Sequence, residues 1–157
     1  CENNLYMEYT PIRTVTAVPN PAADRAAAYG LERILIDGND ADVVFDTARR
    51  FISRARAGQG PALIEAVTYR HGGHSRGDLG KYRPEAELAS WLARDPIPAY
   101  RARLLNAGAG QDVIEAIEAR ALALVDEAER IVRGAPPPDA DSLLRDLWSD
   151  GGSQWRN

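Results

Sequence analysis

One cysteine, one lysine and two histidines are all that these 157 residues hold of three side chains that often carry chemistry. Cys1 has no partner in the chain for a disulfide, which removes the stapled secreted scaffolds and points to a reducing, cytoplasmic setting. No run approaches the roughly 20 apolar residues of a membrane-spanning helix, and no positively charged lead followed by an apolar core marks a secretory signal. No membrane role is therefore expected. The net charge of −4 excludes the electrostatic footprint of a nucleic-acid binder. Basic charge is nearly all arginine, Lys81 being the one lysine, which reads as nucleotide-composition bias.

What is present is ordinary globular composition, 45% hydrophobic and 27% charged, enough for one core. Two short apolar runs bounded by Gly or Pro, Arg33 to Asp37 and Ala62 to Thr68, read as buried strands. Between them Asp40 is placed to cap a helix from about Ala41 to Ala57, with Val43, Val44, Thr47, Ala48, Phe51 and Ile52 on one face and Gly58 as its stop. A strand, helix and strand in this order predict a parallel pair. A further short helix is expected from Ala22 to Tyr29, closed by Gly30. The front of the chain is thus α/β, with parallel strands and helices.

After Arg83 the strand signal stops. Pro84 suits a first helical turn, and Glu85 to Ala93 reads as a short helix. Pro96 and Pro98 are expected to interrupt the chain before a helix from Ala99 to Asn106 that ends near Gly108. The longest periodic run is Asp112 to Val132, with Val113, Ile117, Leu124 and Ala128 on one stripe. Pro136 to Pro138 then form a stiff connector, and Ser142 to Trp148 reads as a last amphipathic helix.

Both histidines lie in Tyr69-Arg70-His71-Gly72-Gly73-His74-Ser75-Arg76-Gly77-Asp78, directly after the second strand. Ligands of open α/β sheets collect beyond the carboxyl ends of the strands. Imidazole and guanidinium groups bind phosphate, and imidazole also moves protons. Composition alone supports equally a solvated loop with two incidental histidines. A zinc site is disfavoured, because His71, His74 and the nearby Asp78 fall short of a structural set and no helix fixes them. A serine-hydrolase reading of His74-Ser75 fails for want of a nucleophile elbow.

Taken together, Asn3-Asn4-Leu5-Tyr6, Asp37-Gly38, Gly60-Pro61, Thr68-Tyr69-Arg70, Gly73-His74-Ser75, Asp78, Tyr82-Arg83 and Asp95-Pro96-Ile97 resemble, in order, the alpha subunit of thiamine diphosphate-dependent 2-oxo acid dehydrogenase E1 enzymes. Several matches in register over the first hundred residues make the resemblance specific. The rest of the chain is similar only in helical character. In that family the metal-diphosphate motif opens with Gly-Asp-Gly, which occurs nowhere here, and closes on the Asn-Asn pair. The chain is therefore expected to be a carboxy-terminal fragment. Residues 1–83 would form the end of the cofactor-binding α/β domain, and 84–157 a helical extension packed on it.

The resemblance implies roles residue by residue. Asn4 matches the Mg²⁺-coordinating asparagine and Tyr6 the residue whose carbonyl also binds the ion, which in turn holds thiamine diphosphate. His74 matches the loop histidine near the diphosphate and the active-site entrance, giving it both a cofactor-binding and a catalytic role. Tyr69 and Arg70 support the loop, and Ser75 stands where mitochondrial members are phosphorylated. Expected partners are an E1 beta subunit in an α₂β₂ assembly and a lipoyl-bearing E2. The isolated fragment is expected to be inactive, without Mg²⁺ or thiamine diphosphate. If Asn3 and Asn4 stood alone, a plain turn would be the favoured reading.

There are departures too. Met7-Glu8-Tyr9-Thr10-Pro11 stands where many members carry glycines. The segment from Ser75 to Tyr82 is one residue shorter than in animal pyruvate or branched-chain enzymes, resembling bacterial acetoin dehydrogenases. Gly73-His74 differs from the His-His pair of branched-chain members. Pyruvate is favoured as substrate, with acetoin the alternative. A non-catalytic interaction module retaining the fold is the rival from another class, and a transketolase-like enzyme a further one that the pattern around His74 opposes.

Overall fold

The computed structural model describes residues 1–144, which divide into a unit spanning Cys1–Gly108 and a second from Ala109 onward. The first unit opens with β1 (Glu2–Asn3) and a small antiparallel pair, β2 (Tyr6–Met7) and β3 (Thr10–Pro11). A 3₁₀ turn over Ile12–Thr14 leads to α1 (Pro21–Ala26), extended by a 3₁₀ turn over Ala27–Tyr29. Then come β4 (Arg33–Asp37), α2 (Ala41–Arg56) and β5 (Leu63–Val67). The sheet order is β1-β5-β4, all parallel, with Arg33 opposite Leu63, Asp37 opposite Val67 and Asn3 also opposite Val67. The α/β expectation holds, and β5 is its central strand.

Local chemistry accounts for the elements. Asp40 caps α2 by accepting from the backbone N–H groups of Asp42 (3.0 Å) and Val43 (3.2 Å), satisfying two donors that the helix start leaves free. The apolar face of α2 is narrower than its periodicity suggests: Phe51 is buried, Val44, Thr47 and Ala48 are half-buried, and Val43 and Ile52 are exposed. Ala23 and Ala26 are fully buried where α1 packs on β4 and β5, a close approach that larger side chains would prevent. Ile34 and Phe51 complete the apolar core together with Tyr6 and Tyr69.

Two helices close this unit, α3 (Glu85–Leu92) and α4 (Pro96–Asn106). The prolines expected to delay the second helix instead lie within its first turn. Proline lacks the N–H that a first helical turn cannot pair anyway, and Asp95 caps the helix by accepting from Ile97 N–H at 2.8 Å. In the second unit α5 runs over Gln111–Gly134. The stripe read from its sequence is largely open: Val113, Ile117 and Leu124 are all exposed, and Ile114 is the one buried residue among the described positions of α5. A 3₁₀ turn covers Ala140–Leu144, so most of the helix expected over Ser142 to Trp148 lies outside the described residues. Among the described residues no helix is long and apolar enough to cross a membrane.

Candidate functional site

β1 and β5 are parallel neighbours, so their carboxyl ends release two segments side by side: the Asn3–Tyr6 turn and the loop that follows Val67. In the turn, Asn3 is buried, its Oδ1 accepts from Leu5 N–H at 3.0 Å, and its Nδ2 donates to Oε1 of Glu65 at 2.5 Å. Asn4 Oδ1 accepts from Tyr6 N–H at 3.1 Å. The pair therefore builds two overlapping side-chain-to-backbone turns. Between Asn4 and Tyr6, Leu5 sits at φ +69°, a left-handed conformation that costs a non-glycine residue on the order of 1–3 kcal/mol and persists only where its surroundings impose it. Its carbonyl is held by Ile12 N–H at 2.8 Å.

Tyr6 is buried, and its hydroxyl donates to Glu87 Oε1 at 2.6 Å; Tyr69 donates to the same oxygen at 2.9 Å. Burial, then the Glu87 carboxylate, pushes the phenol of Tyr69 far above its ordinary value, and Tyr6 is raised for the same reasons. The two rings meet edge to face at 5.9 Å, and Tyr69 stacks on Trp91 at 5.3 Å. Glu87 thus ties α3 to both segments. Sequence reading missed Glu65 and Glu87; the available signal for Glu65 was a charge in the middle of the apolar run Leu-Ile-Glu-Ala-Val.

The loop after β5 folds back on itself around Asp78. Its Oδ2 accepts from His74 N–H (2.6 Å) and the Tyr82 hydroxyl (2.8 Å), and its Oδ1 from Gly80 N–H (2.7 Å). The N–H groups of His74 and Gly80 hold the Asp78 carboxyl below the usual carboxylate range. Gly73 has to be glycine, because a Cβ there would stand 2.0 Å from the Asp78 carbonyl oxygen. Gly80 sits at φ +66° directly against the Arg83 guanidinium, which donates to the carbonyls of Arg70 and His71.

Arg70 reaches across both segments. Its Nη2 donates to the Glu8 carbonyl (2.7 Å) and the Tyr82 hydroxyl (2.9 Å), while Nη1 lies 3.0 Å from His74 Nδ1. A guanidinium only donates, so this contact requires the tautomer in which Nδ1 accepts and Nε2 carries the hydrogen. His71 turns away, with its Nδ1 3.6 Å from Asp95 Oδ2. The histidines do not converge, and no group of three metal-ligating side chains occurs among the described residues. Ser75 is exposed and serves the loop through its carbonyl, which accepts from Asp78 N–H.

Asn4 and Tyr6 line a groove of about 380 Å³ together with Asn3, Arg25 and Glu65; His74 is not on its wall. As donors for a hard divalent ion, an amide oxygen with a second lone pair and a backbone carbonyl fit in kind. Two such oxygens would fill at most two positions of an octahedral shell, so in donor type these residues fit part of a Mg²⁺ site. The segment Met7 to Pro11 forms the β2–β3 hairpin, with Glu8 at φ +53° and the Tyr9 ring edge-on to Tyr82 at 5.2 Å.

Compared with known proteins, residues 1–141 match the family described as Dehydrogenase E1 component. The alpha subunit of 3-methyl-2-oxobutanoate dehydrogenase from Mycobacterium tuberculosis (strain CDC 1551 / Oshkosh) is 37% identical over 151 residues, 95% of this chain and 41% of that protein. The pyruvate dehydrogenase E1 component subunit alpha of Porphyra purpurea is 37% identical over 127 residues, 80% of this chain and 37% of its own length. The alpha subunit of acetoin:2,6-dichlorophenolindophenol oxidoreductase from Bacillus subtilis (strain 168) is 36% identical over 148 residues, 94% of this chain and 44% of that protein. The chain spans about two fifths of the length of these curated relatives.

Proposed function

The chain belongs to the dehydrogenase E1 component family, and from that premise we propose that it forms part of the alpha subunit of a 2-oxo acid dehydrogenase, with pyruvate the favoured substrate, the alternative being the alpha subunit of an acetoin dehydrogenase. With pyruvate the reaction is oxidative decarboxylation and with acetoin, which has no carboxylate to lose, carbon–carbon cleavage that releases acetaldehyde; in both the acyl group passes to a lipoyl group on E2, whose disulfide is reduced. The observation that carries this reading is the meeting of two segments at the carboxyl ends of adjacent parallel strands. Tyr6 packs on Tyr82 at 5.8 Å, Tyr82 bonds Arg70, and Arg70 bonds His74, so one network joins the Asn4–Tyr6 turn to the histidine loop. Relatives named for three different substrates stand at 37%, 37% and 36% identity, so overall identity does not choose among them; the Gly73-His74 pair and the short Ser75–Tyr82 segment argue against a branched-chain substrate and leave pyruvate and acetoin.

Thiamine diphosphate, when bound, supplies the nucleophilic carbon and the electron sink for carbon–carbon cleavage. The chain's own residues bind and orient. Asn4 through its amide oxygen and Tyr6 through its carbonyl would supply part of the Mg²⁺ shell, the remaining ligands coming from outside the described residues. His74, its Nδ1 occupied by Arg70, would donate from Nε2 to the diphosphate or hand on a proton at the entrance. An E1 beta subunit would supply the acid facing the aminopyrimidine in an α₂β₂ assembly. By itself the chain would retain neither Mg²⁺ nor thiamine diphosphate and would be inactive.

One experiment tests this. Thiamine diphosphate and Mg²⁺ are titrated by calorimetry into the chain alone and into the complete subunit with its beta partner, and turnover of pyruvate and of acetoin is measured on the latter. Saturable binding is expected in the assembly only. Replacing His74 by Ala should lower turnover by about 100-fold or more, the scale of lost acid–base assistance, and replacing His71 by Ala far less. Equal, small losses would remove His74 from its assigned role. An assembly that takes up no cofactor would support the non-catalytic module instead.

A further inference from the structure

Glu65 is the largest fully buried side chain among the described residues, at 0% exposure in the middle of β5. A buried carboxylate is costly unless its oxygens are paired, and here three donors face it. Oε2 accepts from the backbone N–H groups of Ala22 (3.1 Å) and Ala23 (2.7 Å) at the start of α1, where Asn20 makes no side-chain cap. Oε1 accepts from Asn3 Nδ2 at 2.5 Å. Because a carboxylate only accepts, it dictates which end of the Asn3 amide faces it: the NH₂ must point to Glu65, and the oxygen must point the other way. That oxygen takes Leu5 N–H at 3.0 Å, at the left-handed residue that lies between Asn4 and Tyr6.

We propose that Glu65 is a positioning residue: by fixing the orientation of the Asn3 amide it sets the Leu5 backbone, and thereby the turn that presents the Asn4 amide oxygen and the Tyr6 carbonyl to a divalent cation. The metal half of this statement rests on the proposed E1 function; the relay from Glu65 to Leu5 does not.

The relay makes an unusual demand on substitutions. Glu65→Gln keeps shape and size yet fails. If its oxygen faces the α1 amides, its NH₂ meets the Asn3 NH₂. Should Asn3 flip to receive it, the Asn3 NH₂ meets Leu5 N–H. If the new amide is reversed, its NH₂ meets Ala22 and Ala23 N–H. Every arrangement sets donor against donor. Asn3→Asp alone sets two carboxylates against each other. Combined, Glu65→Gln and Asn3→Asp satisfy every group again: the new amide oxygen takes the α1 amides, its NH₂ serves the new carboxylate, and that carboxylate's second oxygen takes Leu5 N–H.

The test measures hydrogen exchange at the Leu5 amide and, in the complete subunit with its beta partner, the Mg²⁺ concentration needed for half-maximal binding of thiamine diphosphate. Each single variant should speed Leu5 exchange and raise the Mg²⁺ requirement by about tenfold or more, the usual scale for removing a group that orients a metal ligand. The double variant should bring both readings back toward the parent protein. Unchanged Leu5 exchange in Glu65→Gln, or a double variant no better than either single, would overturn the relay. Faster exchange with an unchanged Mg²⁺ requirement would overturn its role in presenting metal ligands. Should the parent assembly take up no Mg²⁺ or cofactor, the functional reading falls and with it the metal half, while the exchange measurement still decides the relay.

Discussion

The Asn3–Tyr6 turn and the loop from Thr68 to Arg83 leave neighbouring strands side by side, and they are held in opposite ways. The turn is gripped from outside itself by Glu65, a buried carboxylate on another strand. The loop is gripped from within by Asp78, while His74, Ser75, Arg76, Gly77 and Leu79 stay exposed. Taking away the fully buried Glu65 leaves its donors without water to replace it; taking away the half-buried Asp78, whose partner His74 is exposed, leaves that donor within reach of solvent. Global stability should therefore depend on the first anchor, and local opening on the second.

The strongest way to break this contrast is Glu65→Ala. It orphans the buried donors Asn3 Nδ2 and Ala23 N–H, which cost about 1–3 kcal/mol each, and the half-buried Ala22 N–H, which adds less. Urea unfolding should register a loss of about 3 kcal/mol or more. A loss below about 1 kcal/mol would mean that water reaches the site and that the two segments are not held differently.

A smaller, local effect is expected from Asp78→Asn. The new side chain has one acceptor oxygen in place of two, so amide exchange at His74 or Gly80 should quicken while the unfolding midpoint barely moves. In the parent protein the sign of the pH dependence follows from the lowered Asp78 carboxyl. A group depressed in the folded state stabilises fully above its unfolded pKa, near 3.9, and loses that contribution as pH falls from there through the folded value. Protection at His74 and Gly80 should hold from neutral pH down to about 4 and decay below it. Decay already near pH 6 would shift the anchor from Asp78 to a histidine.

The smallest expected change is a gain. Glu8 holds φ +53° at the tip of the β2–β3 hairpin and is used by Arg70 through its carbonyl, which any residue supplies. Glu8→Gly should relieve about 1 kcal/mol of left-handed strain, offset in part by the greater freedom of glycine in the unfolded chain. The thermal midpoint should rise slightly. A fall would place a stabilising contact on the Glu8 side chain and make the hairpin, like the turn, dependent on its side chains.

The legible parts of this molecule are those written in local pattern. β4 was readable to the residue in its extent, though only Ile34 of that expected buried strand is buried and Leu35 is exposed, and the expected Ala62 to Thr68 strand appears as Leu63–Val67. α2 was readable because Asp40 and the apolar spacing both act within a turn of helix. The α4 start was misread because Pro96 and Pro98 look like breakers in a linear string, whereas the first turn of a capped helix has no use for their missing N–H groups. The stripe on α5 was legible as a period, but a period does not say which face is covered: Val113, Ile117 and Leu124 lie open while Ile114 is buried. Asn4, Tyr6 and His74 could be singled out by resemblance alone, since a turn pair and a loop histidine have no distinguishing local signature.

By itself, then, the sequence determined the α/β class, the strand–helix–strand unit and the family, because propensity, capping and motif order are encoded within short stretches of chain. Only the tertiary structure decided that β1 lies beside β5, that His71 and His74 part company, and that Glu65 and Glu87 rather than the histidines organise the buried side of the site. The reason is separation along the chain. Glu65 meets Asn3 across 62 residues and Glu87 meets Tyr6 across 81, whereas helical and strand periodicity carries information over only a few positions.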